Sequence, residues 1–235
     1  LDPTERRALW TSAMDGLVKV HRTDWRKSHP FLAPEDMSRG YLGAYIHMVG
    51  DWYEWTAKGR SYPLMEAALQ YLRDGLKTVD DSDPVLVWND ARMGNMLFGP
   101  DNRLAAVIDW EMPLIGPAGI DLGYWLMMDE FHGRGIGVTP LEGMPDEAET
   151  IRVYEQMSGR KVTDVDYFVV LASFFINTTL IRQADIYVGR GELKPETTMG
   201  IDNTSTQMIA RRIGLPVPPM SPDFAFHRQL PIAAA

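Results

Sequence analysis

Three side chains between positions 85 and 111 have the types and the spacing to transfer a phosphoryl group. Asn95 stands five positions after Asp90, and Asp109 closes an apolar run from Leu104 to Ile108. Phosphoryl transfer needs one carboxylate to accept the attacking hydroxyl's proton, and an amide and a second carboxylate to hold Mg²⁺ on the nucleotide phosphates. On this reading Asp90 is the catalytic base. Asn95 offers the metal a neutral carbonyl oxygen, and Asp109 bridges the same Mg²⁺ to the phosphates of ATP. A lone Asp at a strand end is commonly a turn former. It is the joint spacing of the three, followed by Trp110 and Glu111, that carries the chemical reading.

Two short β-type runs must position these groups. Val85 to Trp88 leads into Asp90, Leu104 to Ile108 leads into Asp109, and the loop carrying Asn95 lies between them. Phe98-Gly99-Pro100-Asp101-Asn102 has the composition of a hairpin turn, which brings the second run back beside the Asn95 loop.

The segment resembles the catalytic stretch of the aminoglycoside phosphotransferase and choline kinase-like enzymes, whose usual pattern is His-Gly-Asp-x4-Asn followed by a strand ending Ile-Asp-Trp/Phe-Glu. Downstream, Gly116 to Gly123 looks like that family's Gly-Asp-Pro-x2-Asp-Leu-Ala segment, with Pro117 where the family has Asp. The resemblance implies an α+β architecture: the helix-rich C-terminal lobe of a protein kinase-like fold over residues 1–215, with a small β-hairpin-type sheet carrying the catalytic loop. A Pro-rich tail, 216–235, follows. For Asp121 the resemblance implies a role in buttressing the catalytic loop, whereas its position alone makes it a first-turn carboxylate offsetting a helix dipole.

In two places the family pattern is broken just before the base. Trp88 stands for the usual His, and the sequence reading has it stack on Trp110 and hold the loop by apolar contact in place of a hydrogen bond. Asn89 stands for the usual Gly, placing a Cβ where left-handed backbone is cheap only for glycine, although Asn tolerates it better than most residues. The kinase-like fold also needs an N-terminal nucleotide-binding lobe. No glycine-rich loop ahead of a strand lysine precedes Asp90, and the chain opens on Leu1 with Asp2-Pro3-Thr4-Glu5, a helix start. The expectation is a fragment whose N-terminal lobe lies elsewhere in the same protein, and which by itself binds ATP weakly and is inactive.

Composition narrows the partners. With 235 residues, 45% hydrophobic and 10% aromatic, the chain can bury a sizeable core and is not disordered. Its 23 basic and 32 acidic residues give a net charge of −9, which disfavours a nucleic-acid backbone or an anionic membrane as partner. There is no cysteine, so disulfides and thiolate metal sites are excluded. No 18-residue apolar run and no signal-peptide pattern is recognised, and the expected location is cytoplasmic.

Helical patterning surrounds the site. Residues 3 to 22 form an amphipathic helix with an apolar face through Ala8, Leu9, Ala13, Leu17 and Val20, His21 serving as a C-terminal cap. Arg39 to Lys58 forms a helix whose aromatic stripe fills the core, and Pro63 to Leu76 forms another. Asp80 to Pro84 reads as a solvated turn, and Gly119 to Glu130 as a helix. His132 to Gly137 is a flexible connector, its glycines wrongly spaced for phosphate binding. Asp146-x-x-Glu149 and Thr163-x-x-Asp166 open two further helices, and a last one spans Thr197 to Ile213. Residues 216–235, with five prolines, should hold no regular element.

The function these features imply is ATP-dependent, Mg²⁺-assisted phosphorylation of a small-molecule hydroxyl. Val-Ile-Asp-Trp-Glu and Leu-Gly-Tyr-Trp also resemble the branch of the family fused or related to acyl-CoA dehydrogenases, so the acceptor is either aminoglycoside-like or hydroxyacyl. Glu111, Asp129 and Glu130 suit the first; the aromatics between Tyr41 and Trp55, with Phe168, Phe174 and Phe175, suit the second. The alternative is a catalytically silent kinase-like binding or scaffold module, which the Trp88-Asn89 departure favours and the three intact site residues disfavour.

Overall fold

Two helices that almost touch form the centre of the molecule, and their sequences allow it. Gly119 and Gly123, one turn apart on α5 (Gly119–His132), face Phe168 of α7 (Val165–Gly189), where any Cβ would collide with the Phe168 ring or backbone. The computed structural model describes residues 1–227. Around this pair it packs α1 (Pro3–His21), α3 (Gly40–Ala57), α4 (Pro63–Gly75) and α8 (Thr204–Ile213) into one continuous core. Short α2 (Trp25–Ser28), α6 (Glu147–Ser158) and α9 (Pro222–His227) complete the helices. The fold is α+β and helix-rich, with a small antiparallel β component.

Among the described residues, four short strands make two separate antiparallel pairs. In the first, β1 (Pro84–Val87) runs against β4 (Leu114–Pro117), with Val87 opposite Leu114. In the second, β2 (Met96–Phe98) and β3 (Leu104–Val107) form the hairpin expected from Phe98 to Asn102, closed by the Gly99 N–H donating to the Arg103 carbonyl at 2.8 Å. Residues 89–95 leave β1 and enter β2, so the loop is pinned at both ends by different ribbons. The β4 strand is an addition to the sequence reading, because Leu-Ile-Gly-Pro is extended only through its pairing with β1.

Several local expectations are corrected. The buried stripe of α1 runs through Trp10, Ala13, Met14, Leu17 and Val18, a rotation away from Ala8 and Leu9 that brings His21 into the core. Asp81 is not simply solvated: its Oδ2 accepts the Leu42 N–H at 2.9 Å, satisfying an otherwise open donor in the first turn of α3. Thr163 caps nothing, since α7 starts at Val165, and Asp166 pairs instead with Arg212 at 3.2 Å. The last predicted helix begins at Thr204, where Asn203 and Thr206 cap each other reciprocally. Within the Pro-rich tail, Pro222 opens α9 and Phe224 is fully buried against Phe131; proline at the first helical position starts a helix as readily as it breaks one. The remainder of that tail, 228–235, lies outside the described residues. Finally, α7 does contain a window long and apolar enough to cross a membrane, but 72% of it is buried inside the protein, as befits a core helix.

Candidate active site

Asp90 sits at the exit of β1, with both carboxylate oxygens engaged. Arg92 Nε donates to Oδ1 at 3.1 Å, and the Asn95 amide donates to Oδ2 as well as to the Asp90 carbonyl at 3.4 Å. With its nitrogen turned to Asp90, Asn95 keeps its amide oxygen as an acceptor. Its backbone carbonyl meanwhile accepts the Ile108 N–H at 3.0 Å, joining the loop to the residue before Asp109. Tyr124 of α5 packs beside Asp90, and burial together with that negative charge pushes its phenol far above the usual range.

The backbone immediately before Asp90 is held by a web of buried polar groups. Asp121, fully buried, accepts the Trp88 N–H on Oδ2 and the Asn89 N–H on Oδ1, both at 2.7 Å. A buried carboxylate is tolerated only when its lone pairs are satisfied, and a third donor supplies what remains. His21 Nε2 donates to Oδ2 at 3.0 Å, while the Tyr154 hydroxyl lies 2.7 Å from His21 Nδ1. His21 is therefore not a helix cap. It is a buried support, and it lies on the same stripe as Met14, Leu17 and Val18, which is the signal that marks it in the sequence. Asn89 adopts φ 65°, the left-handed region a glycine would occupy, and accepts the Tyr45 hydroxyl at 2.7 Å on its side-chain oxygen.

The Asp109 side is built differently. Asp109 also has positive φ, 60°, and its exposed carboxylate makes no hydrogen bond or ion pair among the described residues. What fixes this side is Trp88, whose ring lies 5.9 Å from Trp110 at a 33° tilt. Its indole N–H also donates to the Ile108 and Asp109 carbonyls at 3.0 and 3.1 Å, so the loop is held by hydrogen bonds as well as by apolar contact. Asp90 and Asn95 are thus in direct contact, whereas Asp109 is tied to them through backbone and Trp88. Among the described residues no cluster of three or more acidic or histidine side chains forms a ready-made metal cage. The amide oxygen of Asn95 and the free carboxylate of Asp109 are nevertheless the hard oxygen donors that Mg²⁺ takes, usually while keeping several waters.

Two hollows flank Asp90, and both are bordered by Tyr124 and Thr179. The larger, about 530 Å³, is lined by Met48, Trp52, Met112 and Phe175, with Glu111 at its edge. The smaller, about 340 Å³, includes Arg92, Met128, Ile176, Leu180 and Gln183. Of the aromatics expected to fill the core or a ligand channel, Phe168, Phe174, Tyr45 and Tyr53 are buried, while Trp52 and Phe175, 5.1 Å apart, face the larger hollow. Sequence reasoning did not single out Arg92 or Tyr124; the only available signal for Arg92 was its place two residues after the base.

The model of the phosphotransferase enzyme family (APH) matches residues 1–158. Among curated relatives, the chain is 30% identical over 187 residues to acyl-CoA dehydrogenase family member 10 of Mus musculus, covering 74% of this chain and 17% of that protein. It is 24% identical over 196 residues to family member 11 of Homo sapiens, covering 80% of this chain and 24% of that protein. The chain therefore spans about a fifth of the length of these curated relatives. Among solved structures, a Ralstonia eutropha protein provisionally named as an aminoglycoside phosphotransferase superposes with a TM-score of 0.70 at 23% identity, over 91% of this chain and 67% of that one. A type I macrolide 2′-phosphotransferase superposes with a TM-score of 0.51 at 19% identity, over 77% of this chain and 54% of that one.

Proposed function

The chain belongs to the phosphotransferase enzyme family, and from that premise we propose that the protein transfers the γ-phosphoryl group of ATP to a hydroxyl of a small molecule, with Asp90 as base. The observation that carries the reading is the double attachment of Asn95, by side chain to Asp90 and by backbone to Ile108, next to Asp109. Asp90 accepts the proton of the attacking hydroxyl, and Arg92 and Asn95 keep its carboxylate oriented toward the hollows on either side. Asn95 and Asp109 would hold Mg²⁺, which when bound neutralises charge developing on the nucleotide phosphates.

The character of the hollows supports a hydroxyacyl acceptor over a polycationic aminoglycoside. The larger is walled mainly by methionine and aromatic side chains, the smaller adds Arg92, His132 and Gln183 to its apolar lining, and among the described residues the carboxylates bordering them are Asp90 itself and Glu111. Each methylene buried there contributes about 0.8 kcal/mol. Two panels of acceptors, hydroxy fatty acyl compounds and aminoglycosides, assayed with the full-length protein for ADP release at two salt concentrations test the choice. The reading expects salt-insensitive turnover of the acyl panel. Salt-sensitive turnover confined to the amines, whose attraction is screened over about 10 Å at 0.1 M, would overturn it.

A further inference from the structure

Asn89 occupies a position where glycine would be cheaper. At φ 65° a glycine pays no steric penalty, and it would bury no amide. Asn89 is instead 1% exposed at the lining of the larger hollow; its oxygen accepts from Tyr45, and among the described residues its amide nitrogen has no protein acceptor. Taking that amide out of bulk water costs free energy that a glycine would not incur. That cost, carried by the residue next to the base, calls for a return that only the side chain supplies.

The return is visible in what the amide connects. Tyr45 belongs to α3, with Met48 and Trp52 one and two turns further along the same face. Those two residues form a wall of the larger hollow beside Asp90. The Tyr45–Asn89 bond is thus a direct tie between the wall of that hollow and the backbone that presents Asp90. Burial pushes the Tyr45 phenol far above its usual range, so it remains a donor at any working pH. Without the tie, Asn89 has two conformational escapes that the Tyr45 bond otherwise opposes: rotation of its side chain, and relaxation of its backbone toward the negative-φ regions that non-glycine residues prefer.

We infer that Tyr45 is a positioning residue for Asp90, acting through Asn89: its hydroxyl locks Asn89 in the left-handed conformation and so fixes the aim of the base relative to the α3 wall. This rests on the phosphotransferase reading only where turnover is concerned. The same lock is measurable in the absence of any reaction, through the Asn89 N–H that donates to Asp121.

The experiment is a double-mutant cycle between Tyr45→Phe and Asn89→Gly, with Tyr53→Phe as the same chemical change on another buried tyrosine of α3, packed against Phe174. Urea unfolding first establishes that each variant folds. Amide hydrogen exchange at residue 89 is then read in all variants, and kcat and KM are read on the full-length protein with the hydroxyacyl panel and ATP·Mg²⁺. Tyr45→Phe is expected to speed exchange at residue 89 and to lower kcat, each about tenfold, with KM for the acceptor changed less than about twofold. In the Asn89→Gly background, where glycine holds the conformation unaided, the same Tyr45→Phe change should alter exchange and kcat less than about twofold. Tyr53→Phe should leave exchange at residue 89 as it is. Exchange coupling with no turnover on any acceptor would uphold the lock and remove the phosphotransferase reading. Equal effects of Tyr45→Phe in both backgrounds, or an effect of Tyr53→Phe as large, would overturn the lock, since a purely packing role gives that result.

Discussion

The two sides of the candidate site are made from opposite materials. On the Asp90 side, backbone N–H groups, a carboxylate, an imidazole and two phenols are buried and bonded to one another, drawing on α1, α3, α5 and α6. On the Asp109 side the carboxylate is exposed and, among the described residues, unengaged, and order comes from a tryptophan pair and three indole-to-carbonyl bonds, two from Trp88 and one from Trp110 to the Val107 carbonyl. The difference fits the two jobs proposed for Asp90 and Asp109. A base must be held at a fixed angle to an incoming hydroxyl, and pre-organised hydrogen bonds in a low-dielectric interior supply that angle. A carboxylate that meets a hydrated cation on a nucleotide is better left open, with only its backbone fixed.

The contrast can be broken by substitutions on either side, compared by urea unfolding. Asp121→Ala has the largest expected effect: it leaves two backbone N–H groups and His21 without their buried acceptor, and should cost about 3–5 kcal/mol. A cost below about 1 kcal/mol would mean that the web is not what holds the loop. Trp88→Phe comes next. It keeps most of the stacking but removes the indole donor from the Ile108 and Asp109 carbonyls, and should cost about 1–2 kcal/mol. Trp110 is 40% exposed, so Trp110→Leu should cost only about 0.5–1.5 kcal/mol, the share owed to the aromatic pair and to the exposed indole bond to the Val107 carbonyl. Asp109→Asn should change stability by less than about 0.5 kcal/mol, as expected where no protein partner is lost. If Asp109→Asn cost as much as Asp121→Ala, the distinction between a built side and an open side would fail.

What the sequence made legible was local. The Asp90 to Asn95 loop, the Phe98 to Asn102 turn and the capped starts of α1 and α6 are written within a few residues, and helix periodicity placed α3, α4, α5 and α7. What stayed hidden depends on partners far along the chain. Strand β4 is four residues that are extended only because β1 lies beside them. His21 looks like a helix end until α5 and α6 bring Asp121 and Tyr154 to either face of its ring. The Tyr45 and Asn89 contact spans 44 residues, and nothing in either local pattern announces it. Trp88 was readable as a stacking residue from its aromatic type, whereas its two hydrogen bonds required the path of the following hairpin.

Phosphoryl transfer with Asp90 as base is tested most directly by ³¹P NMR detection of the ester formed from ATP and a hydroxyacyl acceptor, comparing the full-length protein with its Asp90→Asn variant. The account predicts a new phosphate-ester resonance that depends on Mg²⁺, and a rate about 10²–10⁴ lower in the variant, which should still bind the acceptor. Ester formation at an unchanged rate by Asp90→Asn would contradict it.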